Sequence, residues 1–237
     1  MAITVRNMLV TSPHRGALLA SLASQVVGTY RGRRIKVAVD GVDGAGKSVL
    51  ADELAERVSA FGRCVVRASV DGFHRPRAER YRRGRTSPEG YYRDSYDYRR
   101  LRELLLDPFA AAASGRLRVA AFDYRRDTAI SMPVQQAVPS AVLILDGVFL
   151  HRPDLRDEWD FSIFVHVGFD VALARCVRRD GTSPDPSAGL NQRYMNGQRH
   201  YFRDARPWEH ATVIADNNDL AAPFIVDPGV FSPDPVS

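Results

Sequence analysis

One continuous stretch, residues 35 to 58, limits the fold of this chain more than any other feature. It begins with the apolar run Ile35–Val39, continues through Gly41-Val-Asp-Gly-Ala-Gly-Lys-Ser48, and then repeats an apolar residue every fourth position from Leu50 to Val58. Runs rich in β-branched residues favour a buried strand, and apolar residues spaced by four favour a helix. The sequence therefore predicts a strand, a glycine-rich loop and a helix in direct succession.

The loop in this stretch has the composition of a phosphate-binding loop. Its glycines allow the backbone to turn and to bring N–H groups close to phosphate oxygens, at a helix N-terminus that favours an anion. We expect the Lys47 ammonium to reach the β- and γ-phosphates and the Ser48 hydroxyl to bind Mg²⁺. The alternative is a glycine-rich turn that binds nothing. The residues predicted to bind the nucleotide are Gly41, Asp43, Gly44, Ala45, Gly46, Lys47, Ser48 and Val49.

Charge and cysteine content indicate the compartment and the kind of ligand. The net charge is +5, and every basic residue except Lys36 and Lys47 is an arginine, the side chain suited to phosphate groups. Cys64 and Cys176 stand alone, which fits a reducing compartment. No apolar run approaches the 18 or so residues of a membrane span. We therefore expect a cytoplasmic protein with no membrane association.

Residues 75–100 combine arginines with tyrosines. Nine arginines alternate with the five tyrosines Tyr81, Tyr91, Tyr92, Tyr96 and Tyr98. Such a segment can cover a phosphorylated substrate, can form a solvated loop, or can bind nucleic acid through backbone and base contacts. Because it directly follows the strand beside the predicted phosphate loop, we favour substrate cover and expect no nucleic-acid partner.

Two carboxylates are predicted to lie at strand ends. A strand over residues 64–70 ends at Asp71, and the apolar run Ala141–Leu145 ends at Asp146, as in a buried parallel strand that delivers an acid to the edge of a sheet. Asp146 is expected to hold Mg²⁺, and Asp71 to accept a proton from a substrate hydroxyl. Each aspartate can alternatively serve only as a turn residue.

A helix opening at Asp170 carries three arginines, Arg175, Arg178 and Arg179. Near a phosphate site they would neutralise the charge on a transferring phosphoryl group.

The alternation of strands and helices predicts an α/β fold of the P-loop NTPase type: a three-layer α/β/α sandwich with a central parallel sheet and a helical or loop lid. We expect one domain over residues 1–237, with a helical extension (1–33), a substrate-side segment (75–100) and a loosely held tail (218–237).

With these residues placed, the chain resembles the uridine kinase and phosphoribulokinase family of P-loop kinases, in particular its bacterial uridine kinase-like branch. The matching stretches are Gly41–Ser48, Val70–His74, Tyr92–Asp97, Phe122–Tyr124, Leu143–Val148, Arg175–Asp180 and Ala211–Asn217. The resemblance implies an ATP- and Mg²⁺-dependent kinase. In it Asp71 is the base or orienting carboxylate for the acceptor hydroxyl, Asp146 matches the Walker B acid, and Arg175, Arg178 and Arg179 belong to a closing lid. Together with Asp71 we expect Lys47, Arg178 and Arg179 to be catalytic, Ser48 and Asp146 to bind the metal, and Arg175 to bind the nucleotide.

The resemblance also implies a set of acceptor contacts: Asp71, Phe73, His74, Tyr91, Asp123, Tyr124 and Asp127. Two of them depart from the family pattern. Asp127 stands where uridine kinases carry a histidine that contacts the nucleoside, and Tyr91 stands where they carry an aspartate for the ribose hydroxyls. The acceptor is therefore left open between a nucleoside, a sugar, pantothenate and another small alcohol.

Three classes of function remain as hypotheses. The first is the small-molecule kinase, with a homodimer left open. The second is a nucleotide-dependent regulatory module that binds nucleic acid through residues 75–100. The third is a GTPase switch, which is disfavoured because no Asn-Lys-x-Asp signature follows Asp146.

Overall fold

The computed structural model describes residues 12–29, 32–111 and 115–231, and its centre is a six-stranded sheet. The strands are β1 (Ile35–Gly41), β2 (Val65–Ser69), β3 (Arg116–Leu117), β4 (Phe122–Asp123), β5 (Thr128–Ala129), β6 (Gln135–Gln136), β7 (Val142–Gly147), β8 (Phe161–His166), β9 (Val213–Asp216) and β10 (Phe224–Val226). The order in the central sheet is β10-β9-β8-β1-β7-β2, and every described pair is parallel except β10 with β9. Strand β1 therefore lies inside the sheet, with β7 and β8 on its two sides.

Helices and short turns connect these strands. The helices are α1 (Pro13–Thr29), α2 (Lys47–Ala60), α3 (Arg77–Arg80), α4 (Pro88–Asp94), α5 (Tyr98–Leu101), α6 (Asp107–Ala110), α7 (Phe169–Asp180), α8 (Gly189–Ala205) and α9 (Pro207–His210). A π-helical turn, Arg102–Leu106, joins α5 to α6, and a 3₁₀ turn, Val70–Phe73, follows β2. Together with the sheet, they confirm the predicted α/β class with a central, mostly parallel sheet.

The predicted strand, loop and helix form as the sequence indicates. Helix α2 begins at Lys47 and packs on β1, β2 and β7 through its buried side chains Leu50, Leu54 and Val58. Gly44 adopts φ +77°, and a Cβ there would overlap the backbone carbonyl of Ala172 in α7. Glycine is needed at this position both for the left-handed backbone and for the close approach of α7.

Two features of the secondary structure were not evident from the sequence pattern. Between residues 116 and 123 the chain forms two short strands, β3 and β4, which pair in separate hairpins with β6 and β5. In the predicted loose tail, residues 224–226 form β10 on the edge of the sheet. The exposed edge of β9 supplies backbone partners that a sequence pattern does not reveal.

Residues 75–100 are helical rather than a solvated loop. Helices α3, α4 and α5 span most of the segment, and Tyr91, Tyr92 and Tyr96 are at most 5% exposed. Burial of these rings explains why a polar, arginine-rich segment is ordered against the core. Within the part of the chain that the structure describes, no helix has the length and apolar character needed to cross a membrane.

Candidate active site

A cavity of about 150 Å³, called here the phosphate cavity, lies over the glycine-rich loop. Lys47 lines it, is 9% exposed, and donates from Nζ to the Val42 carbonyl oxygen at 2.7 Å. The position of the Asp146 carboxylate follows from the strand register, because β1 pairs with β7 so that Val39 lies beside Asp146. The loop and the predicted Walker B acid therefore meet at one edge of the sheet.

The residues predicted to hold a metal are in direct contact. The Ser48 hydroxyl donates to Asp146 Oδ2 at 2.5 Å, and Arg67 Nη2 lies 2.7 Å from Asp146 Oδ1. Mg²⁺ prefers oxygen ligands and commonly takes only one or two from the protein, with phosphates and waters completing the shell. A hydroxyl beside a buried carboxylate fits that requirement, and the described residues contain no group of three or more acidic, histidine or cysteine side chains that could hold an ion otherwise.

Asp71 lies where β2 ends, and its side chain is 53% exposed. The Tyr96 hydroxyl donates to Asp71 Oδ1 at 3.1 Å. Burial raises the pKa of Tyr96 well above its usual value, and the nearby Asp71 charge raises it further, so the hydroxyl stays a donor. Tyr96 therefore orients the carboxylate that was predicted to act as base, a contact that the sequence did not reveal.

A second cavity, of about 270 Å³, adjoins the first and is called here the acceptor cavity. Asp43, Asp71, Tyr96 and Arg179 line both cavities. The remaining lining of the acceptor cavity is mixed aromatic, polar and sulfur-containing: His74, Tyr91, Tyr124, Phe169, Ala172, Leu173, Cys176, Asp180, Thr182, Asn191, Tyr194, Met195 and Gln198. The two cavities therefore share a wall that contains two carboxylates.

Asp43 joins the phosphate loop to the helices of the acceptor cavity. Its Oδ2 accepts from the Tyr91 hydroxyl at 2.6 Å and from Gln198 Nε2 at 2.9 Å. Burial is the main cause that raises the pKa of Tyr91 well above its usual range, with a further contribution from the Asp43 charge. Tyr91 stands where an aspartate was expected from the family pattern. The carboxylate on this side of the cavity is therefore that of Asp43 from the loop, which the Tyr91 hydroxyl holds.

The His74 ring lines the acceptor cavity and contacts two tyrosine rings in tilted geometry, at interplanar angles of 50° and 31°. Its centroid lies 4.5 Å from that of Tyr96 and 4.9 Å from that of Tyr124. Burial lowers the pKa of His74 below its usual value, although the neighbouring Asp71 acts in the opposite direction. The ring is therefore neutral near pH 7 and adds a flat polar surface rather than a charge.

The three predicted arginines of α7 have different positions. Arg179 lines both cavities and forms an ion pair with Asp180 at 2.7 Å, and its pKa is raised chiefly by that hydrogen-bonded carboxylate. Arg175 Nη2 donates to the backbone carbonyls of Asn217 and Asn218 at 2.8 and 2.9 Å. Arg175, Arg178 and Arg179 also line a third cavity, of about 690 Å³, together with the loop residues Gly44, Gly46 and Val49.

Three predicted acceptor contacts lie outside the acceptor cavity. Phe73 is fully buried in the core. Asp123 accepts from the backbone N–H groups of Arg125 and Arg126 and so closes a turn. Asp127, at φ +55°, accepts from the Arg77 N–H at 2.8 Å and from Arg80 Nη2 at 3.2 Å. All three have structural contacts instead, which a linear motif cannot distinguish from substrate contacts.

Helix α8 supplies four cavity residues that the sequence analysis missed: Asn191, Tyr194, Met195 and Gln198. Tyr194, Met195 and Gln198 follow Asn191 by three, four and seven residues, so the four share one face of the helix. That spacing is the signal that was available. It is weak because a half-polar face also suits a solvent-exposed helix.

Comparisons with known proteins agree with this geometry. No family model matches the chain. A curated uridine kinase from Leuconostoc citreum is 27% identical over 154 residues, which cover 61% of this chain and 67% of that protein. Among solved structures, a protein described as a possible uridine kinase from Bacillus stearothermophilus superposes with a TM-score of 0.67 at 22% identity, covering 83% of this chain and 96% of that one.

A second solved structure is also similar. A protein assigned as a fructose transport system kinase from Silicibacter sp. TM1040 has a TM-score of 0.60 and 28% identity, and the match covers 81% of this chain and 94% of that one. This sequence relative and these two structural neighbours are all named as kinases. By sequence and fold, the chain is similar to uridine kinases and related P-loop kinases, and these similarities support an ATP-dependent kinase with an alcohol group as acceptor.

Proposed function

We propose that this kinase transfers the γ-phosphate of ATP, bound with Mg²⁺, to a hydroxyl of a nucleoside-like molecule. The observation that carries the proposal is the shared wall, because Asp71 lines both the phosphate cavity and the acceptor cavity. A hydroxyl bound in the acceptor cavity would lie beside both the phosphate and a carboxylate. The uridine kinase names of the sequence relatives and the aromatic lining support a flat, nucleoside-like acceptor.

Each protein group has a role that follows from its position. The half-exposed Asp71 accepts the proton of the acceptor hydroxyl or aligns its lone pair, while Tyr96 holds the carboxylate in place. Lys47 and the loop N–H groups bind the phosphates, and Arg179 lies where the two cavities meet. Ser48 and Asp146 would hold Mg²⁺, which neutralises phosphate charge when bound.

A coupled ADP-release assay with uridine, cytidine, pentoses, hexoses and pantothenate tests this function. Asp71→Asn should lower turnover with the active acceptor by about 10²- to 10⁴-fold, since general-base groups contribute about that much. Binding of ADP, followed by thermal shift, should persist. Asp157→Asn is the matched control, because its side chain is 93% exposed and its charge change is the same. Wild-type turnover in Asp71→Asn would show that the base is assigned wrongly.

A sugar or pantothenate-like alcohol is the second candidate acceptor. Two observations favour it: Asp127 lies away from the acceptor cavity, and the Silicibacter neighbour is named as a kinase of a fructose transport system. The hexose and pantothenate arms of the same assay distinguish this candidate from the first.

Nucleic-acid binding receives less support from the structure. Arg82 and Arg83 of the arginine-rich segment pair with Asp94 at 2.6 and 2.9 Å, and Arg80 pairs with Asp127 at 3.2 Å. These internal ion pairs reduce the charge available to a phosphate backbone. Filter binding of RNA and DNA over a salt series should therefore show no saturable complex.

A further inference from the structure

We propose that Asp43 determines the charge class of the acceptor: the cavity takes a neutral hydroxyl compound and excludes alcohols that carry a carboxylate or a phosphate. This inference rests on the proposed kinase function and specifies its substrate: of the candidate acceptors it retains nucleosides and neutral sugars and excludes pantothenate. It concerns a residue of the phosphate loop that acts on the acceptor side of the site.

The charges that line the acceptor cavity favour a neutral occupant. Three carboxylates, from Asp43, Asp71 and Asp180, face it. Among the described residues, Arg179 is the only lysine or arginine that lines the cavity. Its guanidinium is already bound to both oxygens of Asp180, at 2.8 and 2.7 Å. His74 adds no compensating charge near pH 7, because burial lowers its pKa. An anionic acceptor would therefore enter without a free cation among these residues.

Asp43 is held in place by neutral groups. Both of its partners, the Tyr91 hydroxyl at 2.6 Å and Gln198 Nε2 at 2.9 Å, orient the carboxylate without neutralising it. Asp71 is occupied with the reacting hydroxyl in the proposed function, and Asp180 is paired with Arg179. Asp43 is therefore the carboxylate whose charge is left to repel an anion.

The same carboxylate can bind a neutral acceptor. A carboxylate has about four acceptor sites, and the two bonds from Tyr91 and Gln198 use about half of them. A second hydroxyl or an N–H group of the acceptor can donate to the rest. The Asp43 carboxylate thus repels anionic compounds and attracts hydrogen-bond donors. Both effects favour a neutral acceptor, and specificity commonly arises from such a combination.

Matched acceptor pairs that differ in one carboxylate or phosphate test the inference: uridine and orotidine, panthenol and pantothenate, glycerol and glycerate, fructose and fructose 6-phosphate. The readout is the ratio of kcat/KM for the neutral member to that for the anionic member. In the wild type we expect the neutral member to be preferred by about ten- to hundredfold, the size of a charge–charge repulsion at partly screened distances of several ångströms.

In Asp43→Asn this preference should fall at least about fivefold, since the amide keeps an oxygen for Tyr91 but removes the charge. Glu89→Gln is the matched control: it removes one carboxylate from α4, the helix of Tyr91, at an exposed site outside the acceptor cavity. ADP-induced thermal shift reports whether the loop is intact. If Asp43→Asn does not fold, the wild type alone still tests the idea, because high salt should narrow its neutral-to-anionic ratio.

The outcomes are separable. A neutral preference that falls in Asp43→Asn but not in Glu89→Gln, or that narrows with salt, supports the inference. Equal or better turnover of the anionic members, or a preference that neither the variant nor salt changes, overturns the inference and leaves the kinase function standing. ADP release with none of the eight compounds, in a protein that still binds ADP, overturns both.

Discussion

The phosphate cavity and the acceptor cavity share a wall, but they are assembled from very different lengths of chain. Outside the shared wall, the phosphate side comes mainly from one continuous loop and from the end of β7, the strand next to β1, with Ser69 of β2 as a further lining residue. The acceptor side combines the turn after β2 with α4, α7 and α8, which lie far apart in sequence. Local backbone geometry therefore determines the first cavity, whereas long-range packing determines the second. This difference implies that variants on the two sides should change different kinetic constants.

The largest effect is expected on the phosphate side. Lys47→Ala should lower kcat by about 10²- to 10³-fold, the usual cost of removing one group that stabilises transition-state charge. The KM for the acceptor should stay nearly constant, because Lys47 does not line the acceptor cavity. Steady-state kinetics with both substrates varied measures this. An acceptor KM that rises in parallel would mean that the two cavities do not act separately.

The next effect concerns the metal. Asp146→Asn should raise the Mg²⁺ concentration for half-maximal rate by about 10- to 100-fold, because in the proposed function this carboxylate binds the metal beside the Ser48 hydroxyl. Titration of activity with Mg²⁺ provides the measurement, and the exposed Asp157→Asn serves as control. An unchanged Mg²⁺ requirement would remove Asp146 from the metal site.

On the acceptor side the expected effect is smaller. Tyr96→Phe removes the hydroxyl that donates to Asp71 at 3.1 Å, and should reduce kcat about tenfold, since a hydrogen bond to a charged group contributes about 1.5 kcal/mol or more. Tyr98→Phe makes the same chemical change on a neighbouring ring that has no bond to Asp71 and should be nearly silent. Equal losses in the two variants would indicate a packing effect instead.

The smallest effect is a dependence on pH. Burial lowers the pKa of His74 from its ordinary value of 6.5, so the folded state binds this proton less readily than the unfolded state. Its contribution to the free energy of unfolding is therefore complete above pH 6.5 and is lost as pH falls through the lower, folded-state pKa. Urea unfolding from pH 7.5 to 5 measures the slope.

His74→Gln should flatten that slope below pH 6.5, and the same change at the exposed His14 should not. Binding of ADP should depend on pH equally in both variants, because His74 lines only the acceptor side of the shared wall. A slope that persists in His74→Gln would assign the dependence to another group.

Much of the phosphate side could be predicted from the sequence, because its residues are neighbours in the chain or lie at strand ends that pair in register. The acceptor side was predicted only in part. His74, Tyr91 and Tyr124 do line the cavity, while Phe73, Asp123 and Asp127 do not. Motif position gives a residue's place in the chain, but the direction of its side chain depends on the packing of the surrounding elements. The single-domain organisation and the homodimer stay predictions.

The sequence by itself determined the strand, loop and helix of residues 35–58 and the α/β class. It also placed the loop that carries Lys47 at the same edge of the sheet as Asp146, the acid at the end of a buried strand. These follow from short-range rules: glycine backbone freedom, apolar periodicity and the ends of buried strands. Only the tertiary structure placed Tyr96 on Asp71, Gln198 on Asp43 and Arg67 on Asp146. Those contacts join residues 25, 155 and 79 positions apart, so they exist only once the sheet has formed and the surrounding elements have packed on it.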